Sequence, residues 1–287
     1  MKLRNIPYCL ILLIALVSCS NSGNQSSFSI DDDYKDVVLG EDLVSAGMPE
    51  RLDYLINNLV ISDEMIGMLA EADKTLFDAN MLNPAEHVKY YNTSKNRAVN
   101  MGVYGAELNY LIHFDQTEFS MKYMLASKQL ADQIGVAMAF DKQAVEEYQT
   151  NVENKDSLIN IIFVVYDNAK RMLKNEEQFM LSSLVIVGSW IENMYVATEM
   201  FGRIKSTQLK SKLITKVLEQ KDYLKKILEA VESLDEGDNV FVTDIIKDLK
   251  DIDSTYDSFG DRVLSEEDIQ LLNEELTKVR TSIVNVN

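Results

Sequence analysis

The chain has 287 residues, a formal net charge of −18, two cysteines, and 46% hydrophobic against 26% charged side chains. With 46 Asp and Glu over 28 Lys and Arg, nucleic acid is excluded as a partner, because binding phosphates needs clustered cations. The same imbalance disfavours charge-driven docking on an anionic membrane surface. Cys9 and Cys19 both lie near the amino terminus, so the body of the chain carries no disulfide, thiol nucleophile or thiolate metal site.

Residues 1–18 have the parts of a secretory signal: Lys2 and Arg4, then an apolar run from Tyr8 to Val17. That run is shorter than the roughly 20 apolar residues a transmembrane helix needs, so a cleaved signal peptide is expected. Leu16-Val17-Ser18-Cys19 resembles the bacterial lipobox. The resemblance implies that the thiol of Cys19 forms a thioether to a diacylglyceryl group, that cleavage makes Cys19 the new amino terminus, and that a further acyl chain of the palmitate type follows. Two or more chains anchor a protein stably, at about 0.8 kcal/mol per buried methylene. Membrane attachment through lipid on Cys19 is therefore expected.

Removing Lys2 and Arg4 with the signal leaves −20 on residues 19–287. Residues 19–40 are expected to form a flexible tether. The Ser-, Asn- and Gln-rich stretch Ser20 to Ile30 has no hydrophobic period and would span ~18 Å root-mean-square. In lipoproteins of the Bacteroidetes type, surface display goes with acidic residues just after the cysteine. Here Ser20, Asn21, Ser22 and Gly23 stand there, which points to the periplasmic face of the outer membrane.

From residue 49 onward the pattern is helical. Apolar periodicity and caps predict helices over 49–60, 63–79, 84–90, 95–113, 116–134, 142–152, 156–174, 176–201, 207–235, 240–257 and 266–285. Pro49 and Pro84 stand in first turns, where proline is tolerated. Ser62, Asp141 and Ser265 stand where capping acceptors belong. No alternating run reads as a strand. The expected fold is all-α, a multi-helix bundle of about ten helices. The helix over 176–201 is apolar nearly all round and is expected at the centre.

Two lobes are expected: a helical core lobe over 41–202 and a carboxy-terminal antiparallel helical bundle over 203–287. The break lies near Gly202 to Ser206, and docking of both parts into one domain is an equal alternative. In the final helix Ile269, Leu272, Leu276, Val279, Ile283 and Val286 alternate spacings of three and four, a narrow coiled-coil-like seam. Leu213, Val217, Leu224, Ile227, Val231 and Leu234 follow the same register, with Gln220 interrupting it. Ala98, Gly102 and Gly105 form a small-residue stripe suited to close helix approach.

The sharpest chemical feature is a pair of Glu-x-x-Tyr motifs inside apolar helices, Glu107 with Tyr110 and Glu192 with Tyr195. If the two stripes face each other, paired carboxylates in apolar surroundings would have raised pKa values and could serve acid–base chemistry or hold a cation. The favoured alternative is structural, each Glu bonding a nearby Tyr hydroxyl or an Arg97-type cation, or reaching solvent past its own helix. Tyr90, Tyr91, Tyr104, Tyr110, Trp190 and Tyr195 could line a groove for an apolar ligand, though core packing is the default.

No other chemistry is legible. His87 and His113 belong to no zinc motif. The acidic runs lack the glycine and terminal glutamate of a calcium loop. There is no Gly-x-Ser-x-Gly elbow and no glycine-rich phosphate loop. No catalytic residue, metal or cofactor is assigned.

Tyr90-Tyr91-Asn92-Thr93-Ser94-Lys95-Asn96-Arg97, the run Gly102 through Tyr110, and Gly188-Ser189-Trp190-Ile191-Glu192 resemble a group of uncharacterised helical lipoproteins from Bacteroidetes over about residues 50–285. The resemblance implies an envelope address and no activity. The expected function is thus a lipid-anchored, non-enzymatic envelope module facing the periplasm that binds or scaffolds an envelope protein partner. The alternatives are a carrier of a small apolar ligand between central helices and, less favoured, an enzyme using the buried carboxylates. The candidate ligand or buried polar cluster is Glu107, Tyr110, Trp190, Glu192 and Tyr195.

Overall fold

The computed structural model describes residues 47–136, 140, 142–151, 153–172, 176–260 and 262–285. The signal, Cys19 and the tether lie outside the described residues, as do Asp141 and Val286. Among the described residues there are nine α-helices and no strand: α1 Met48–Ala72, α2 Ser94–His113, α3 Thr117–Gln133, α4 Lys142–Thr150, α5 Lys155–Met172, α6 Glu176–Phe201, α7 Thr207–Leu234, α8 Val240–Ser258 and α9 Glu266–Val284. The protein is all-α, as its periodicity predicts.

The largest departure from expectation is at the start. The two helices predicted over 49–60 and 63–79 are one, α1. Ser62 does not cap a second helix; it is fully buried, and its hydroxyl accepts from Asn193 Nδ2 at 3.2 Å. Leu52, Leu55, Met65, Ile66 and Leu69 carry one buried face through the position of the predicted break, and the packing of that face outweighs the local cap signal. Pro49 does sit in the first turn.

The helix ends at Asp73, whose extended backbone stops the coil and whose carboxylate accepts from the Thr75 amide at 2.9 Å. From there to α2 the chain runs through three 3-10 turns, Lys74–Leu76, Ala79–Met81 and Ala85–Tyr90. The stretch predicted as α-helix over 84–90 is the last of these turns, with Pro84 as its cap residue. The other predicted helices recur within about three residues at each end, and several begin on acceptors. Thr93, Ser206 and Asn239 accept from the amides of Asn96, Leu209 and Val242. Ser265 and Asp268 form a reciprocal capping box.

The centre of the fold is the crossing of α2 and α6. A Cβ added to Gly102 would lie 2.0 Å from the carbonyl oxygen of Val185, and one added to Gly188 would lie 1.9 Å from that of Val99. The two backbones therefore touch where both helices lack side chains. Helix α6 contains Gln178–Phe201, long and apolar enough to cross a membrane by length and composition, and most of that segment is buried inside the protein. Helices α1, α2, α7 and α9 pack against it.

The described helices fall in one compact unit, residues 39–287. A tight turn joins α6 to α7, with Arg203 N–H donating to Met200 O at 2.9 Å. Helices α7 and α8 run antiparallel, since Lys221 meets Asp257 and Lys250 meets Glu232. The seam residues Leu213, Val217, Leu224, Ile227 and Val231 of α7 are buried, as are Ile269, Leu272, Leu276, Val279 and Ile283 of α9. Gln220, the interruption in the α7 register, is buried because its Oε1 accepts from the indole N–H of Trp190 at 3.0 Å.

Candidate functional site

Glu107 lies five residues beyond Gly102 in α2, and Glu192 lies four residues beyond Gly188 in α6. The close crossing of these helices sets both carboxyls, fully buried, around one cation delivered by α9. Arg280 Nε donates to Glu192 Oε2 at 2.6 Å and Nη2 to Glu192 Oε1 at 2.9 Å, a two-point fork. The same Nη2 donates to the carbonyl of Met81 at 2.7 Å and reaches Glu107 Oε1 at 3.3 Å. Tyr195 covers the guanidinium, its ring centroid 4.4 Å from the Arg280 carbon. Oε1 of Glu107 also accepts from the backbone N–H of Asn83. Its Oε2 has no hydrogen-bond partner.

Electrostatics follow from this geometry. Burial holds the Glu107 carboxyl well above the ordinary carboxylate range, and the neighbouring charge of Glu192 pushes it further, against the pull of Arg280. Glu192 is also raised by burial, and Arg280 opposes that rise through its charge and its hydrogen bonds. Burial works against the charge of Arg280, but the ion pair with Glu192 outweighs it and the guanidinium stays firmly protonated.

The connection between α1 and α2 closes the site. It contributes Met81 O and Asn83 N–H, and it is pinned along its length. Tyr110 Oη accepts from the Asp78 amide at 2.7 Å, Arg203 pairs with the Asp78 carboxylate at 3.3 Å, and Tyr104 Oη donates to Pro84 O at 2.9 Å. Asn83 Nδ2 donates to Tyr91 Oη at 2.9 Å, and Arg97 Nε donates to Tyr91 O at 2.9 Å. Arg97 therefore holds this connection, and the cation that meets the glutamates is a different arginine, Arg280.

Of the five residues singled out from sequence, Glu107, Glu192 and Tyr195 come together around Arg280. Tyr110 turns away, stacked on Phe77 with ring centroids 5.4 Å apart, and burial pushes its hydroxyl up to about 12. Trp190 is buried on the Gln220 side of α6. Arg280 and the backbone groups of Met81 and Asn83 are the members that sequence reasoning missed. A signal for Arg280 did exist: two glutamates inside apolar helices demand a cation, and Arg280 flanks the α9 seam one turn beyond Leu276.

Elsewhere, His113 is half-buried at the end of α2, and this burial pushes its imidazole down to about 4. His87 Nδ1 lies 3.0 Å from Asn83 Oδ1. Among the described residues no group of three or more His, Cys, Asp or Glu is placed to hold a metal ion. Tyr104, Tyr110 and Trp190 are packed into the core. An apolar hollow between α2, α3 and α5, walled by Met101, Leu108, Met124, Ser127, Ile162 and Val165, has room for about one water molecule. Cys19 lies outside the described residues.

No protein-family model, no curated protein and no solved structure matches this chain.

Proposed function

We propose that this protein is a lipid-anchored module of the cell envelope, held through Cys19 at the periplasmic face of the outer membrane, whose helical body binds or scaffolds another envelope component without catalysis. One observation carries the non-catalytic reading. Glu107 and Glu192 are fully buried, and Arg280, with 12% of its side chain exposed, is bound to both and to Met81 O. Acid–base work needs a group within hydrogen-bonding reach of a substrate proton. Here a guanidinium and a pinned connection occupy that space, so the carboxyls hold α9 to α2 and α6. The lipobox-like Leu16-Val17-Ser18-Cys19 and the neutral residues after it support the address, and the resemblance to Bacteroidetes lipoproteins agrees with it.

Two measurements test the reading. Cells fed an alkyne fatty acid should label the wild-type protein and retain it in the outer-membrane fraction, whereas Cys19→Ala should take no label and leave that fraction with its helices intact. Retention and correct processing of the Cys19→Ala protein would overturn the anchor. Crosslinking in intact cells should trap one reproducible envelope protein, and repeated recovery of none would overturn the scaffold.

A further inference from the structure

We propose that Glu107 and Glu192 hold a single proton between them, seated on Oε2 of Glu107, and that this proton makes the fastening of α9 onto α2 and α6 a pH-sensitive latch. The geometry distinguishes the two carboxyls. Both oxygens of Glu192 receive a hydrogen bond from Arg280, at 2.6 and 2.9 Å. Nη2 of Arg280 has two hydrogens and three acceptors, and of these Met81 O at 2.7 Å and Glu192 Oε1 at 2.9 Å are close while Glu107 Oε1 at 3.3 Å is the distant one. Glu107 therefore keeps one firm donor, the Asn83 amide on Oε1, and none on Oε2.

A fully buried ionised carboxylate with an orphaned oxygen is costly, whereas a proton on that oxygen removes the buried charge. The charges agree, since the Glu192 carboxylate pushes Glu107 toward its neutral form while Arg280 favours the charged form of Glu192. The groups facing the pair do not supply a second cation. Tyr104 from α2, Tyr91 from the connection, Tyr123 from α3 and Tyr195 from α6 are all raised by burial and stay neutral. Arg203 is paired with Asp78. Glu86 and Glu199 add only negative charge, acting on Tyr123 and Tyr195. The neutral set is Glu107 as the acid, Glu192 as the carboxylate and Arg280 as the cation.

Loss of the proton places two carboxylates on one guanidinium. The stress falls on the end of α9, whose last carbonyls are held from α2 and the connection: Asn100 Nδ2 donates to Ile283 O at 3.1 Å and Tyr91 Oη to Val284 O at 3.4 Å. Because the carboxyl of Glu107 is raised in the folded state, its contribution to stability is complete below the ordinary carboxyl value. It declines as pH rises from there and is fully lost once pH passes the folded value.

The test uses the chain from Cys19 to Asn287 without lipid. Infrared difference spectroscopy of the wild-type protein against Glu107→Gln at pH 6 should show a carboxylic-acid carbonyl band that is missing in the variant. Hydrogen exchange of the α9 peptide, corrected for intrinsic rate, should speed up more steeply in the wild-type protein than in Glu107→Gln, by a difference of about tenfold per pH unit between pH 5 and the folded value. The comparison is a difference because Glu192 and Asp248, which are also raised, titrate in both proteins. Absence of the band from the wild-type protein, its survival in Glu107→Gln, or equal pH dependence in both proteins would each overturn the proposal.

Discussion

The crossing of α2 with α6 and the fastening of α9 across them solve one problem, holding helices together, by opposite means. At the crossing, Gly102 and Gly188 let backbone touch backbone, with no charge involved. At the fastening, Arg280 brings one positive charge to two buried carboxyls and a carbonyl. Dispersion at the crossing depends on shape and hardly on solution conditions. The fastening depends on charge balance, so it responds to pH and to the loss of any one member. Close approach at the first site builds the second, because a wider crossing would separate Glu107 from Glu192.

Breaking the charge balance has the largest expected effect. Arg280→Ala leaves buried carboxyls without their cation and should cost about 3–5 kcal/mol in denaturant unfolding. The double substitution Glu192→Gln with Arg280→Met should cost less than Arg280→Ala alone, because it removes the uncompensated charge together with the cation. A larger loss in the double variant would show that the fastening contributes more than charge compensation. Next comes the crossing. Gly188→Ala forces a methyl against the Val99 carbonyl and should cost about 1–3 kcal/mol or more. Gly202→Ala, where a Cβ meets open space, should fall within about 0.5 kcal/mol of wild type. Equal effects at the two glycines would refute a tight crossing. The smallest change is Ser265→Ala, which removes the α9 capping box and should cost about 1 kcal/mol, visible as faster amide exchange confined to the first turn of α9.

Much of the helical framework was legible because it rests on local rules. The seam over Ile269, Leu272, Leu276, Val279 and Ile283, the Ser265 cap, and the apolar helix of Trp190 all announce themselves by spacing. The failures have one cause. At Ser62 a good capping residue stands before Asp63 and Glu64, yet the buried bond from Asn193, 131 residues away, makes it an interior position. Between residues 73 and 93 short-range bonds such as Thr75 to Asp73 are joined by bonds with Tyr104, Tyr110, Arg203 and Arg280, and none of these four partners is local. The candidate site divides in the same way. Glu107 and Glu192 stand out as charges in apolar helices, whereas Tyr110, three residues from Glu107, belongs with Phe77 and Asp78.

What the sequence by itself determined is the all-helical class, most helix limits, the glutamates that cannot be buried without a partner, and the expectation of a lipid on Cys19. Only the tertiary structure decided that α1 is continuous, that Gly102 meets Val185 while Gly188 meets Val99, and that the partner of both glutamates is Arg280 and not Arg97. The physical reason is range. Periodicity, caps and turn chemistry act over about four residues, whereas charge compensation and backbone contact depend on which distant segments the packed core brings within about 3 Å.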